Sequence, residues 1–86
     1  MHLLGRSKLQ PLLGLNPRID RWLINWVAEI RHATWTSPRD LFRQYPSAIH
    51  AADTRFLFRV PDASRGIETI VDFRPGITLI VSLKSI

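Results

Sequence analysis

The sequence predicts an α+β fold, with N-terminal helices packed on one face of an antiparallel sheet of three to four strands, and three observations carry that prediction. Apolar residues recur at helical spacing up to about residue 33, then at every second position from residue 55 onward. Asn16-Pro17 and Ser37-Pro38 each pair a capping side chain with a proline suited to the first helical turn. The segments of period two are joined by short connections, which makes neighbouring pairs antiparallel. Helices followed by a meander is the α+β order, and 86 residues suffice for one such domain, spanning 1–86, but not for two.

His2-Leu3-Leu4 is expected as a short strand at the sheet edge. Ser7 can cap a helix from Lys8 to about Leu15 with Leu9, Leu12 and Leu13 inward, and Pro11 keeps it short. Asn16 starts the long helix, predicted over residues 17–33. Ile19, Trp22, Leu23, Trp26, Val27 and Ile30 form its apolar face, and Arg18, Arg21, Asn25, Glu29 and Arg31 its polar one. His32 falls at its C-terminus, where an imidazolium is favoured by the helix dipole. Ser37 opens a second helix, with Asp40 in its first turn and Leu41 and Phe42 inward, and Tyr45-Pro46 ends it. Residues 47–54 have no period and read as a connection.

Residues 55–60, 67–73 and 77–83 are the predicted strands. They are separated by a turn over Pro61–Gly66 and a tight turn at Arg74-Pro75-Gly76, in the residue order a type II turn prefers. Alternation puts Phe56, Phe58, Val60, Ile67, Thr69, Val71, Phe73, Ile77, Leu79, Val81 and Leu83 on the face toward the helices. Trp22, Trp26 and Ile30 are therefore expected against the Phe56, Val71 and Leu79 side. Arg55, Leu57, Arg59, Glu68, Ile70, Asp72, Thr78, Ile80, Ser82 and Lys84 are expected on an open face, available to a ligand.

Composition narrows the chemistry. The absence of cysteine removes disulfides and thiolate metal sites, and the three histidines, His2, His32 and His50, are too far apart to resemble a local ligand motif. No run of eighteen apolar residues and no signal peptide is seen, so the chain reads as cytoplasmic with no membrane partner. Twelve cations against seven acids give a net charge of +5, and ten of the twelve are Arg, the better fork for phosphate. They are spread along the chain rather than gathered in a polybasic tail.

The order of short motifs is more specific than any of this. Met1-His2-Leu3-Leu4, Ser7-Lys8-Leu9, Trp26, Ala33-Thr34-Trp35, Ser37-Pro38-Arg39-Asp40, Tyr45-Pro46-Ser47-Ala48 and Arg55-Phe56-Leu57-Phe58-Arg59-Val60 follow one another. This succession resembles the HigB-type toxin family of the RelE superfamily, in which A-x-W, x-P-x-D, Y-P-S-A and R-x-V-F-N-I occur in the same order. The likeness covers about residues 1–60 and runs on more loosely through the strands beginning at Ile67 and Ile77. It implies a RelE-like fold and the toxin of a type II toxin–antitoxin module. Such a toxin is an endoribonuclease that cleaves mRNA at the ribosome without metal or small-molecule cofactor, and a HigA-like helix-turn-helix antitoxin restrains it. The chain departs from the family where a basic Gly-Asn-Lys-Tyr-Arg-like hairpin is usual, having Pro61-Asp62-Ala63-Ser64-Arg65-Gly66, and it lacks a C-terminal Thr-His segment. The alternative is accordingly a relative that retains antitoxin or RNA binding and has lost cleavage.

Arg55, Arg59 and Arg65 are the candidate catalytic residues, since guanidinium groups suit the charge that develops on a phosphoryl group attacked by a 2′-hydroxyl. Lys84, His50 and Tyr45 are the candidate RNA contacts. His50 is expected in the connection beside the open face, as an acid or base. Cross-strand ion pairing with Glu68 and Asp72 is the more natural account of Arg55, Arg59 and Lys84, and Trp35 and Tyr45, following helices, are expected to pack rather than stack on bases.

Overall fold

The computed structural model describes residues 1–61 and 63–86. The chain runs β1 (His2–Leu4), a 3₁₀ helix (Arg6–Leu12), α1 (Pro17–His32), α2 (Pro38–Gln44), β2 (Ile49–Ala52), β3 (Arg55–Val60), β4 (Arg65–Asp72) and β5 (Ile77–Ser85). The fold is α+β with a five-stranded mixed sheet in the order β1-β5-β4-β3-β2. All neighbours are antiparallel except β1, which lies parallel to β5. No helix among the described residues is long and apolar enough to cross a membrane.

Local chemistry sets the helices. The Asn16 side chain accepts the Ile19 N–H at 2.9 Å and Pro17 opens α1. Ile19, Leu23, Trp26 and Ile30 are buried along one stripe of that helix. At its other end His32 Nδ1 meets the Ala28 carbonyl at 2.8 Å. The first helix is 3₁₀ and begins at Arg6, after Gly5 in the left-handed region (φ 85°), with no side-chain cap from Ser7. Three residues per turn bury Leu9 and Leu12 together and turn Leu13 out, half exposed, where an α-helix would have brought it in. In α2 the cap comes from inside the helix: the Asp40 carboxylate accepts the Thr36 N–H at 2.9 Å and its hydroxyl at 3.1 Å, while Ser37 makes no side-chain cap.

The sheet departs from the sequence reading in several ways: it has five strands instead of three to four, and it is mixed instead of antiparallel because β1 joins β5 in parallel. Residues 49–52, expected as a connection, form β2, which pairs with β3 through Ile49–Leu57 and His50–Phe56. In β5 the register slips by one between the Glu68–Ser82 and Thr69–Ile80 pairs, leaving Val81 extra. This β-bulge inverts the strand N-terminal to it. Thr78 and Ile80 are therefore buried on the helix side, and Ile77 and Leu79 face outward, the reverse of the expected alternation. Leu83, beyond the bulge, keeps its expected side opposite Ile67. The β4–β5 turn closes with the Gly76 N–H on the Asp72 carbonyl at 3.0 Å across five residues instead of the type II turn, and its Arg74–Pro75 peptide is cis. The expected turn over Pro61–Gly66 includes Asp62, outside the described residues, and β4 begins within it at Arg65.

The core lies between the helices and the inner sheet face. Trp26 packs edge-on to Phe58 with ring centroids 5.4 Å apart and stacks with Trp22 at 6.2 Å. Trp35, Tyr45 and Phe58 form a second aromatic contact beside it. In place of the expected packing of Trp22, Trp26 and Ile30 on Phe56, Val71 and Leu79, the sheet ring that Trp26 meets is Phe58; Phe56 and Val71 are buried in the same core, and Ile80 is buried in place of Leu79. The buried Thr69 hydroxyl donates to the Phe56 carbonyl at 2.9 Å, so this polar group inside the core is satisfied.

Candidate functional site: the open face of the sheet

Directly opposed residues share a face of a sheet, so the register gives the layout of the outer surface. Arg59, Gly66 and Lys84 lie in one row across β3, β4 and β5, Leu57, Glu68 and Ser82 in the next, and Arg55, Ile70 and Leu79 in the third. Asp72 and Ile77 make a fourth, extended by His2 of β1. With strands ~4.8 Å apart and ~3.4 Å per residue, Arg59 and Lys84 stand about 10 Å apart and Arg55 about 13 Å down the strand from Arg59. Three cations thus border a face whose centre is Glu68.

Glu68 is the best connected group on that surface. Its Oε1 accepts the Ser82 hydroxyl at 2.9 Å and lies 3.6 Å from Arg55 Nη1 and 3.9 Å from Lys84 Nζ. Its side chain is 13% exposed, against about half for its two cationic partners. The expected cross-strand pairing is thus found for Arg55 and Lys84. Asp72 instead accepts the Arg74 N–H at 3.1 Å, holding the turn. Arg59 is exposed and makes no ion pair with the described residues. Between Arg59 and Lys84, Gly66 leaves a notch, and Leu57 and Ile86 fill it: a Cβ placed there would come 2.7 Å from Leu57 Cδ2 and 3.3 Å from Ile86 Cδ1.

The other three candidates are not part of this surface. Arg65 opposes Val60 and alternates in phase with Ile67, Thr69 and Val71, so it is on the helix side, its Nε buried without a hydrogen-bond partner among the described residues. His50 is in β2 and not in a loop. It opposes Phe56 and stacks on that ring at 4.3 Å, again on the helix side, with Nε2 2.7 Å from the Asp53 carbonyl. Tyr45 packs edge-on to Trp35 and Phe58 and donates its hydroxyl to Glu29. Burial, and then the neighbouring Glu29 carboxylate, push its phenol well above the ordinary 10.0. It is a packed phenol held neutral.

Alternation alone carried the signal for Arg65, which falls two residues before Ile67. Alternation puts Glu68 on the open face as an ion-pair partner, but its central position depends on strands drawn from both sides. His2 joins the open side through the parallel pairing of β1 with β5, which no local pattern announces. No group of three His, Cys, Asp or Glu side chains able to hold a metal occurs among the described residues. Neither a protein-family model nor a curated protein matches the chain.

Proposed function

We propose that this protein is a RelE-like toxin of the HigB type, an RNA-directed protein that engages mRNA on the open sheet face and is restrained by a helix-turn-helix antitoxin. The observation that carries the reading is the row arrangement of Arg59 and Lys84 with Arg55 around Glu68, on the side of the sheet the helices leave uncovered. The ordered motifs of residues 1–60 support it; they fall in turn on β1, the 3₁₀ helix, α1, the α1–α2 connection, α2, the α2–β2 connection and β3. Cations spaced along an uncovered sheet suit a phosphate backbone, and Arg59, having no ion-pair partner among the described residues, gives up none to meet it.

For cleavage the same surface supplies a carboxylate. Glu68, held by Ser82, Arg55 and Lys84, takes the proton of a 2′-hydroxyl as its oxygen attacks the adjacent phosphorus. Arg59 and Lys84 stabilise the charge on the phosphoryl oxygens. The phosphorus–5′-oxygen bond breaks, leaving a 2′,3′-cyclic phosphate, and the 5′-oxygen takes a proton from water at this exposed surface. Position counts for as much as charge in such a step.

One observation favours the second reading, binding without cleavage: Arg65, His50 and Tyr45 all lie on the helix side, so the open face holds fewer titratable groups than the sequence suggested. Induction of the chain and of Arg59→Ala in a bacterial host separates the readings, alongside binding to a labelled single-stranded RNA at rising salt. Growth arrest and RNA cleavage, both lost in a folded Arg59→Ala, are the expected result. Loss of a charge-assisted contact worth about 1.5–3 kcal/mol lowers the rate about ten- to a hundredfold. RNA binding that falls with salt, without cleavage or arrest, identifies the non-cutting relative. Affinity insensitive to both salt and Arg59 overturns the proposal.

A further inference from the structure

The helix side carries a groove that the open face does not explain. It has a cavity volume of about 450 Å³ between the 3₁₀ helix and α1, with Leu9 and Leu13 on one wall, Leu23, Ile24 and Val27 on the other, and Arg6 at one end. Ile24 is 70% exposed on a helix whose other large apolar residues are buried or half-buried, and Leu13 is half exposed across from it. Both cost solvation as they stand, and their side chains face one trough rather than being scattered over the surface. The 3₁₀ winding is what puts Leu13 there, since it lies one residue past the Leu9–Leu12 stripe.

Charge selects the occupant. Beyond Val27, one turn along α1, Arg31 and Arg6 together line an adjoining notch of about 370 Å³ with Met1, His2 and Leu3. Neither arginine forms an ion pair with the described residues, and no carboxylate lines either concavity. From Leu23 to Arg31 the trough runs about 12 Å along the helix, the length of two helical turns. An apolar trough of that length closed by two uncompensated guanidinium groups fits an amphipathic helix with apolar anchors at i, i+3, i+4 and i+7 and carboxylates at the end that reaches Arg6 and Arg31. A second copy of this chain is a poor occupant, because it would bring like charges to the same end.

We infer that this groove docks an acidic amphipathic helix of a partner protein, on the opposite side of the molecule from the cationic sheet face. The inference stands on the groove and not on the reading of the open face as an RNA surface. Its test uses two synthetic 14-residue helical peptides with leucines at i, i+3, i+4 and i+7, one ending in two glutamates and the other in two lysines, titrated by calorimetry into the full chain. The glutamate peptide is expected to bind at least tenfold tighter than the lysine peptide and to weaken with salt. Ile24→Asp, at an exposed position that leaves the core intact, should lower binding at least tenfold. Arg6→Glu with Arg31→Glu should reverse the preference between the peptides, while Arg59→Ala on the open face lowers RNA affinity and leaves peptide binding unchanged. Equal binding of both peptides, binding indifferent to Ile24→Asp in a folded variant, or no binding overturns the inference. So does dimerisation of the free chain abolished by Ile24→Asp, which assigns the groove to a second copy.

Discussion

Replacing Glu68 with Gln separates binding from chemistry on the open face. The change keeps the shape of the side chain and an acceptor for the Ser82 hydroxyl, and removes the charge that Arg55 and Lys84 approach at 3.6 and 3.9 Å. Pairs this exposed are worth about 0.5–1 kcal/mol together, so the variant should fold, with a midpoint lowered by a few degrees. A phosphate in the Arg59–Lys84 row whose 2′-hydroxyl reaches Glu68 lies about 5–6 Å from the carboxylate, and at water-like dielectrics of about 60–80 that repulsion costs about 0.7–1 kcal/mol. RNA should therefore bind Glu68→Gln about two- to fivefold tighter at low salt, with the gain shrinking as salt screens it. Cleavage should move the other way, by at least a hundredfold, because a positioned base contributes about 10²–10⁴ to such a rate. Fluorescence anisotropy with a labelled single-stranded RNA, read beside gel-resolved cleavage and thermal unfolding, measures all three. Unchanged or weaker RNA binding in a folded variant would refute the placement of RNA on this face. Tighter binding with undiminished cleavage would remove Glu68 as the base.

Other perturbations test the packing and the titrating groups. Trp26→Ala, at a ring 1% exposed between Trp22 and Phe58, should cost about 3–5 kcal/mol in urea unfolding. Trp26→Phe should fall within about 1 kcal/mol of the parent, because a cavity of about 40 Å³ costs about 1 kcal/mol. The change also removes a buried indole N–H that has no partner among the described residues. Tyr45→Phe should cost about 1 kcal/mol at neutral pH through loss of the Glu29 hydrogen bond. The raised phenol stabilises the fold fully below its ordinary value of 10.0 and loses that contribution above it. Unfolding midpoints of parent and variant should therefore converge as the pH is raised past 10. For Asp40, hydrogen bonds from the Thr36 N–H and hydroxyl hold the carboxyl below its ordinary 3.8. Its stabilisation is present above that pH and lost as the pH falls through the lowered value. Asp40→Asn should then be less stable than the parent at pH 6, and the gap should close in acid titrations.

Much of this architecture is legible in short stretches of chain, because much of it is decided there. Asn16-Pro17 sets the start of α1, the spacing from Ile19 to Ile30 sets its buried stripe, and alternation over residues 55–60 and 67–71 sets two strand faces. What was not legible depends on partners distant in sequence. β2 has only four residues with two alanines, and the neighbouring strand β3 supplies the pairing that makes it a strand. The outward turn of Ile77 and Leu79 comes from one surplus residue at Val81, and nothing in Ile77–Ser85 marks where the alternation resets. The site inherits both limits. Arg55, Arg59, Glu68 and Lys84 were placed on the open face by alternation alone, whereas the position of His50 and the central place of Glu68 follow from which strands flank them.

The parallel pairing of β1 with β5 joins His2 to Ile77 and Leu4 to Leu79. During synthesis β1 and the helices emerge long before the strand that lies between β1 and β4, so a gap separates β1 from β4 until β5 is made. Contacts of such long sequence separation slow folding, and they make it depend on β5. A nascent chain that has not yet made β5 leaves β1 and one edge of β4 unpaired, which invites proteolysis and association with other strands. The row that joins Arg59 to Lys84 is completed by that same strand. The cationic surface and the five-stranded sheet therefore come into being in one event, and a chain without β5 has neither.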